Sequence, residues 1–490
     1  MDSLAETCAK NGVTTRPARC AFVSPRVTAR HNAWRTAIEL GTVYGGVVAA
    51  YFGDGRARRI DRNVLDGFTK IFSLKRIRFD DNHFDLNNIS HPLGGLVYYG
   101  IPRANGASAT RSFLTLLGAS VFWEQVVELQ EIASINDHIG TPISGWVLGE
   151  SFFQARTLFR RSQPTLVTRT LDTTLGVPVV FSELLKQRPR PEPALLSDHG
   201  IADDAERRIE LYLGLSDRRS ERFLSGAHLE FGIETEVLNA GRRNLADDRT
   251  GWLHGTAATQ FNLGFSVQDG KLNEVRTVAK VMPAGWYRHN VSQTAGDTSG
   301  YTLLLGPSGE FELDMLGDDN QLYIHRIAAY MLGATLDAEM IHAGVRARGV
   351  IDAFANFAQV GALGRIDRPA SHLPDEGSAF RVNGYYNALG PTLAARGSLT
   401  WRTLRLHSEA RLHRLTMIER TWLDRNPDKA TNIRPKSDDW TTLSIGFAVR
   451  AHRNFELSVQ RQQRTWVGSI ADFETAKVER SWWTRMNVLF

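Results

Sequence analysis

From residue 206 onward apolar and polar positions alternate. Ile209, Leu211, Leu213 and Leu215 are interleaved with Arg208, Glu210, Tyr212 and Gly214, and Ala227, Leu229, Phe231, Ile233, Thr235 and Val237 with His228, Glu230, Gly232, Glu234 and Glu236. Residues 341–348, 404–413 and 443–451 repeat the pattern, and a turn at His452–Asn454 returns the chain through Phe455, Leu457 and Val459. A period of two places one set of side chains on each face of a strand, so these are half-buried strands with one apolar and one strongly polar face. Their number, about ten to twelve, predicts an up-and-down antiparallel β-barrel over 205–490.

Before residue 187 the period is helical. Residues 34–52 read as one apolar helix, with Gly41, Gly45 and Gly46 allowing a neighbour to approach; 108–133 read as a longer one. Thr141 and Pro142 look like the cap and first residue of a third helix, running to about 160, in which Gly145 and Gly149 share a face. Residues 171–186 form a further helical stretch. Gln187-Arg-Pro-Arg-Pro-Glu-Pro193 then breaks all periodicity. The expected fold class is α+β: a disordered tail (1–30), a helical domain (31–186), a Pro-rich linker (187–204) and the barrel (205–490).

Alternation accommodates two environments, because a soluble barrel turns its apolar face inward and a transmembrane one turns it to lipid. Three features favour lipid. The strands approach ten residues, the length that crosses a bilayer at a tilt. Their polar faces combine Arg, His and Glu, which suits a wet lumen. The chain also ends on a strand in which Trp482, Met486, Val488 and Phe490 share one face, and this resembles the C-terminal signature of bacterial outer-membrane barrels. The expected location is therefore the bacterial outer membrane, with a soluble β-domain as the alternative. Residues 1–30 contain no readable secretory signal, which stands against an envelope location.

Composition narrows the classes further. Of 490 residues 42% are apolar and 23% charged, with 46 aromatics (24 Phe, 11 Trp, 11 Tyr) and 42 Gly against 17 Pro. This is an ordinary folded composition rich in turns. The net charge of +5 comes from interleaved signs without a basic block, so no nucleic-acid partner is expected. The two cysteines, Cys8 and Cys20, provide no CxxC site and could pair only with each other.

Candidate chemistry lies in the helical half. His91-Pro92 is followed by Gly94-Gly95 and Tyr98-Tyr99, then Arg103, Asn105, Trp123-Glu124, Glu128, Ser134, Asn136-Asp137, Thr141-Pro142, Gly145 and Gly149-Glu150. This run resembles an uncharacterised bacterial family, the domain of unknown function 3943, through its HP-x-x-G-x-x-Y, WE-x-x-x-E, S-x-ND and GE elements, in order, over about 75–155. The resemblance implies an envelope protein of no assigned activity, with a barrel-like half following the motifs.

At helical spacing Ser120, Glu124, Glu128 and Glu131 line one face, among Phe113, Leu116, Val121 and Val127 that would bury it. Buried carboxylates need partners, and His91, Arg103, Arg111 and Asn136 are the candidates. Two readings stay open: an acid/base or metal site using His91, Glu124, Glu128 and Asp137, or a polar network that fixes helix packing. Asp80, Asp81 and Asp85 lack EF-hand spacing and read as a solvated loop. No nucleophile elbow, Walker loop, zinc or dinucleotide motif occurs, so no cofactor and no metal are expected. The expected function is a non-enzymatic envelope role (pore, transport or assembly component) with the helical domain at the barrel mouth. An envelope-lipid-modifying enzyme is the alternative, and enzyme status stays open. The expected partners are outer-membrane lipid and the barrel assembly machinery, and no small-molecule ligand can be named.

Overall fold

The computed structural model describes residues 31–53, 77–79, 82–128, 133–176, 206–220, 225–239, 243, 246–294, 297–317, 325–361, 385–418, 435–452, 454–470 and 473–490. The expected tail with Cys8 and Cys20, the Pro-rich linker, Asp80, Asp81, Glu131 and the end of the 171–186 stretch lie outside them.

Five helices precede the barrel among the described residues: α1 (Ala33–Gly53), α2 (His91–Ala104), α3 (Ala109–Phe122), α4 (Ile135–Arg161) and α5 (Leu166–Leu175). Short polar side chains cap three of them. Ser108 accepts from the Arg111 amide at α3, Ser134 from Asp137 at α4, and Thr165 forms a reciprocal capping box with Thr168 at α5. The long helix α4 therefore begins at Ile135, six residues before the expected start at Thr141, and Pro142 lies inside it. Tertiary contacts hold those first turns despite the hydrogen bond that proline removes, since Asn136, Asp137, Gly140 and Thr141 are all buried.

The 108–133 stretch is not one helix either. After α3 a π-helical turn spans Trp123–Val127 and ends at Glu128, and β2 (Ala133–Ser134) pairs in parallel with β1 (Ile77–Arg78). Gly41, Gly45 and Gly46 meet no neighbour within 4 Å, contrary to expectation. Gly145 does what its spacing foretold: a Cβ there would sit 2.5 Å from the Gly95 carbonyl carbon, so α2 and α4 cross backbone to backbone.

Twelve strands follow and close a barrel: β3 (Glu206–Ser220), β4 (Gly226–Leu238), β5 (Asp247–Gln268), β6 (Lys271–Thr294), β7 (Asp297–Leu316), β8 (His325–His342), β9 (Val345–Gly361), β10 (Tyr385–Trp401), β11 (Leu404–Met417), β12 (Pro435–His452), β13 (Phe455–Ile470) and β14 (Phe473–Leu489). Each pairs antiparallel with the next, and β14 pairs with β3. Closure removes the free edges that an open sheet would expose. The 341–348 stretch, expected as one strand, is a hairpin: Ala343 and Gly344 turn at φ 49° and 75° between β8 and β9.

Charged residues face the lumen. There Arg411 of β11 reaches Glu310 and Glu312 of β7 at 2.5 and 2.7 Å, and Arg464 of β13 reaches Glu274 of β6 at 2.7 Å. Apolar residues face outward, among them Leu215, Leu305, Leu393, Ile445 and Leu457, each 45% exposed or more.

The helices lie against this outward face, not at the mouth. Ile209, Thr235, Phe261, Ala279, Phe311, Tyr330 and Phe357 are cross-strand partners in turn from β3 to β9, a row perpendicular to the strands. Phe311 shares its face with exposed Leu305, six residues away on β7, yet is only 2% exposed. Helix α4 covers the row from Ile209 to Tyr330, and Phe79 stacks on Phe357 at 6.1 Å. Trp146 and Val147 fill the space above Gly309, Phe152 meets Phe261 edge-on at 4.8 Å, and Phe159 joins Ile209 and Val237. The barrel-mouth expectation failed because a period of two distinguishes the two faces but cannot say which stretch of one face a second unit covers.

Replacing Gly145 with Ala should destabilise the protein by about 1–3 kcal/mol through overpacking against α2. Gly94→Ala, on the open side of α2 with nothing within 4 Å, should be neutral or better. Urea midpoints of the helical circular dichroism signal compare the two, and equal effects would refute the crossing.

Candidate functional site

Two polar clusters occupy the helical unit. The first holds the residues singled out by sequence. His91 opens α2, and its Nδ1 lies 3.9 Å from Asp137 Oδ1, a charge contact longer than a hydrogen bond. Asp137 is 4% exposed near the start of α4, where its amide donates to Ser134 Oγ at 3.2 Å and its carbonyl accepts from Ser120 Oγ at 3.4 Å. Glu124, 1% exposed, accepts the Ser134 amide at 3.0 Å. The π-helical turn shifts the register after Phe122, so Glu128 does not continue the Ser120–Glu124 face. It accepts instead from Trp123 Nε1 at 2.9 Å. His91, Asp137, Ser120, Ser134 and Glu124 thus form one chain of contacts, and Glu128 stands apart. Asp85, the one described member of the acidic stretch, is exposed. Among the described residues no group of three or more His, Cys, Asp or Glu is placed to hold a metal ion.

The second cluster centres on Glu150, whose side chain is 0% exposed. Arg103 donates to both its oxygens, Nε to Oε2 at 2.8 Å and Nη2 to Oε1 at 2.9 Å. Tyr99 donates to Oε2 at 2.6 Å and Gln154 to Oε1 at 2.6 Å. The remaining donor comes from the barrel: Thr256 Oγ1 reaches Oε1 at 2.6 Å. Thr256 lies where the β5–β6 register slips between His254 and Ala258, at φ 80°, a backbone region that a β-branched residue rarely adopts. The irregularity re-aims the threonine toward the helices, a common use of a bulge. Asn239 secures it, donating Nδ2 to the Thr256 carbonyl at 3.0 Å.

Burial works to raise the Glu150 carboxyl, but Arg103 and the hydrogen bonds outweigh it and hold it below the usual carboxylate range. Burial and the adjacent carboxylate push the Tyr99 phenol up. A carboxylate held ionised and saturated with donors is a strut, because it has no proton to give and little freedom to accept one. Sequence reasoning had named Arg103 as a carboxylate partner and Glu150 as a motif element without pairing them; the pair spans 47 residues.

The lumen holds a third concentration of charge. A cavity of about 290 Å³ is lined by residues including Arg208, Glu234, Lys280, Arg396, His407 and Arg485. Lys280 and Arg396 share Asp352 at 3.0 and 2.9 Å, and Arg348 pairs with Glu236. On one side of the charged layer the lumen is filled by Phe354, Tyr386, Trp440 and Trp466 with Leu316, Ile327 and Met331. Toward the other end Arg243, only 2% exposed, reaches in from the β4–β5 connection and binds Asp337 at 3.0 and 2.6 Å.

Residues 76–179 match the model of a domain of unknown function (DUF3943). Both polar clusters of the helical unit lie in the DUF3943 segment, apart from Thr256 and Asn239 of the barrel. No curated protein matches the chain. Among solved structures, OmpT of Vibrio cholerae, an outer membrane protein, is 7% identical over 58% of this chain and 98% of its own, at a TM-score of 0.22. The translocator domain of the autotransporter NalP from Neisseria meningitidis is 10% identical over 58% and 88%, at 0.22. The CymD monoaromatic hydrocarbon channel is 8% identical over 58% and 88%, at 0.20. Likeness this slight carries no functional argument.

Glu150→Gln strands the buried Arg103 and should cost about 3–5 kcal/mol. A carboxyl held below its usual range stabilises the fold above its unfolded value and loses that contribution only as pH falls through the lower, folded value. The wild-type advantage over Glu150→Gln should therefore be constant from pH 7 to about 5 and shrink in stronger acid. Denaturation midpoints across that range check it; an advantage lost already near neutrality would contradict the assignment. In the first cluster, Glu124→Ala leaves the Ser134 amide without its acceptor and should cost about 1–3 kcal/mol. An unchanged melting temperature for Glu124→Ala and His91→Ala, with loss of the cellular phenotype, would reverse the structural reading.

Proposed function

We propose that this protein is an integral outer-membrane β-barrel with a non-enzymatic envelope role, closed to free passage of solutes, whose DUF3943 unit braces the barrel wall. One observation carries the reading: the outward face is an apolar belt while ionised side chains meet one another across the interior. Lipid accommodates such a belt, whereas in water an exposed apolar surface of this extent would drive association. The lumen favours a closed barrel over an open pore. Arg411–Glu310, Arg464–Glu274 and Arg396–Gln260 tie together strands that are not neighbours, and the Trp440–Trp466 cluster packs into the lumen beside them. Assembly by the outer-membrane machinery belongs to the same reading. Phe490 directly follows β14, its amide donating to the Ile209 carbonyl at 3.1 Å while its ring packs beside the Phe159–Leu175 cluster.

The protein should show heat-modifiable mobility on unboiled gels, and deletion of Phe490 should reduce the folded fraction. Reconstituted in planar bilayers it should give no steady single-channel conductance. Recovery of the native protein from the soluble fraction would end the membrane reading, and a stable open conductance would end the closed-barrel reading.

A further inference from the structure

The helical unit is apolar on its outside as well as in its core. Buried polar groups such as Glu150 and Asn105, at 0% exposure, lie beside buried Tyr99, Leu116 and Val147, while the outer surface shows Trp34 at 76%, Leu114 at 59%, Phe52 at 52% and Phe122 at 50%. Helices α1 and α3 make that outer layer. Tyr44 of α1 stacks on Tyr98 of α2 at 4.9 Å, meets Phe122 edge-on at 5.8 Å and donates its hydroxyl to the Ala119 carbonyl. The charges of α1 are Arg35 and Glu39, which pair with each other; residues 40–53 carry none, and none of them is buried. In α3 the sole charge is Arg111, one turn from the start. A helix facing water carries a charged stripe on its open side. These two present Ile38, Val47, Leu114, Leu117, Val121 and Phe122 there instead.

Single exposed apolar residues mean little, but these lie on two helices in contact, with Tyr44 of α1 against Phe122 of α3. Helix α4 covers the outward row as far as Tyr330, Phe79 stacks on Phe357 at 6.1 Å, and the next residue in that row, Leu389, is 48% exposed. The helices therefore stand on wall positions that elsewhere face outward, with their own apolar side turned the same way. Among the described residues no helix is long and apolar enough to cross a membrane.

We propose that the α1–α3 face is embedded in the acyl region of the membrane around the barrel, so that the DUF3943 unit is a lipid-contacting buttress rather than a water-exposed domain. The unit enters the bilayer from one side without spanning it, as interfacial helices do. The donors gathered round Glu150 fit this placement, because in lipid a buried ion must find its partners within the protein. The inference rests on the membrane reading of the barrel.

The test uses the full chain with Cys8→Ser and Cys20→Ser, reconstituted in phosphatidylethanolamine–phosphatidylglycerol vesicles. Single cysteines for an environment-sensitive fluorophore are placed by Leu117→Cys or Val121→Cys on the helical face, by Leu457→Cys on the barrel belt and by Asp217→Cys as an exposed polar control. Brominated lipid should quench the two helical positions to within about two-fold of Leu457→Cys, while aqueous iodide should quench only Asp217→Cys. Iodide quenching at Leu117→Cys and Val121→Cys, with brominated lipid still quenching Leu457→Cys, would overturn the proposal and leave the barrel in the membrane. Absence of lipid quenching at Leu457→Cys would remove the membrane reading and the proposal with it.

Discussion

The arrangement turns on a single carboxylate. Glu150 is fully buried and accepts from Arg103, Tyr99, Gln154 and Thr256. Three of these donors belong to the helical unit and the fourth to β5, so the ion that holds α2 to α4 also pins both to the barrel. Its desolvation is tolerable because a bidentate guanidinium and three further donors replace the lost water. The geometry around it is set by close packing. The Gly95–Gly145 crossing brings α2 near enough for Arg103 to reach, and the β5 irregularity turns Thr256 outward.

One principle orders both units. Charges are kept where side chains from several elements can meet them, and many apolar side chains remain on the outside. In the barrel this yields arginine–carboxylate ties across the lumen; in the helices it yields the Glu150 and Glu124–Ser134–Asp137 clusters beneath an apolar shell. Packing contacts and buried hydrogen bonds together hold the seam between the units: Phe152 lies on Phe261 and Trp146 over Gly309, while Asn88 donates to Gln359 at 2.6 Å and accepts from Tyr330 at 2.8 Å. The seam is continuous with the outward belt because it uses the same face of the same strands.

Much of the barrel was legible beforehand. Alternation in β3, β4, β11 and β12 follows from side-chain geometry, and the strand total fell within the expected range. The hairpin at Ala343–Gly344 was misread because apolar alternation runs unbroken through it. Among the helices, Ser108 and the Gly145 face were readable as local signals. The start of α4 was not, since Pro142 suggested a first turn while packing around Asn136 and Gly140 extended the helix past it. The candidate site was legible in part: Glu124 is buried as expected and Asp137 lies beside His91, but the π-helical turn took Glu128 elsewhere.

The sequence by itself determined what depends on neighbours along the chain: the change of period near residue 190, the two-faced strands and the motif run of the DUF3943 segment. Only the tertiary structure decided which outward residues are covered. Leu305 and Phe311 have the same parity and similar surroundings in sequence, yet one is open and the other lies beneath α4. It likewise decided that Arg103 and Glu150 meet, and that Thr256 joins them from 106 residues away. Such contacts depend on register, on a crossing permitted by two glycines and on one strand irregularity. Each is set by long-range packing, which leaves no local periodicity in the chain to read.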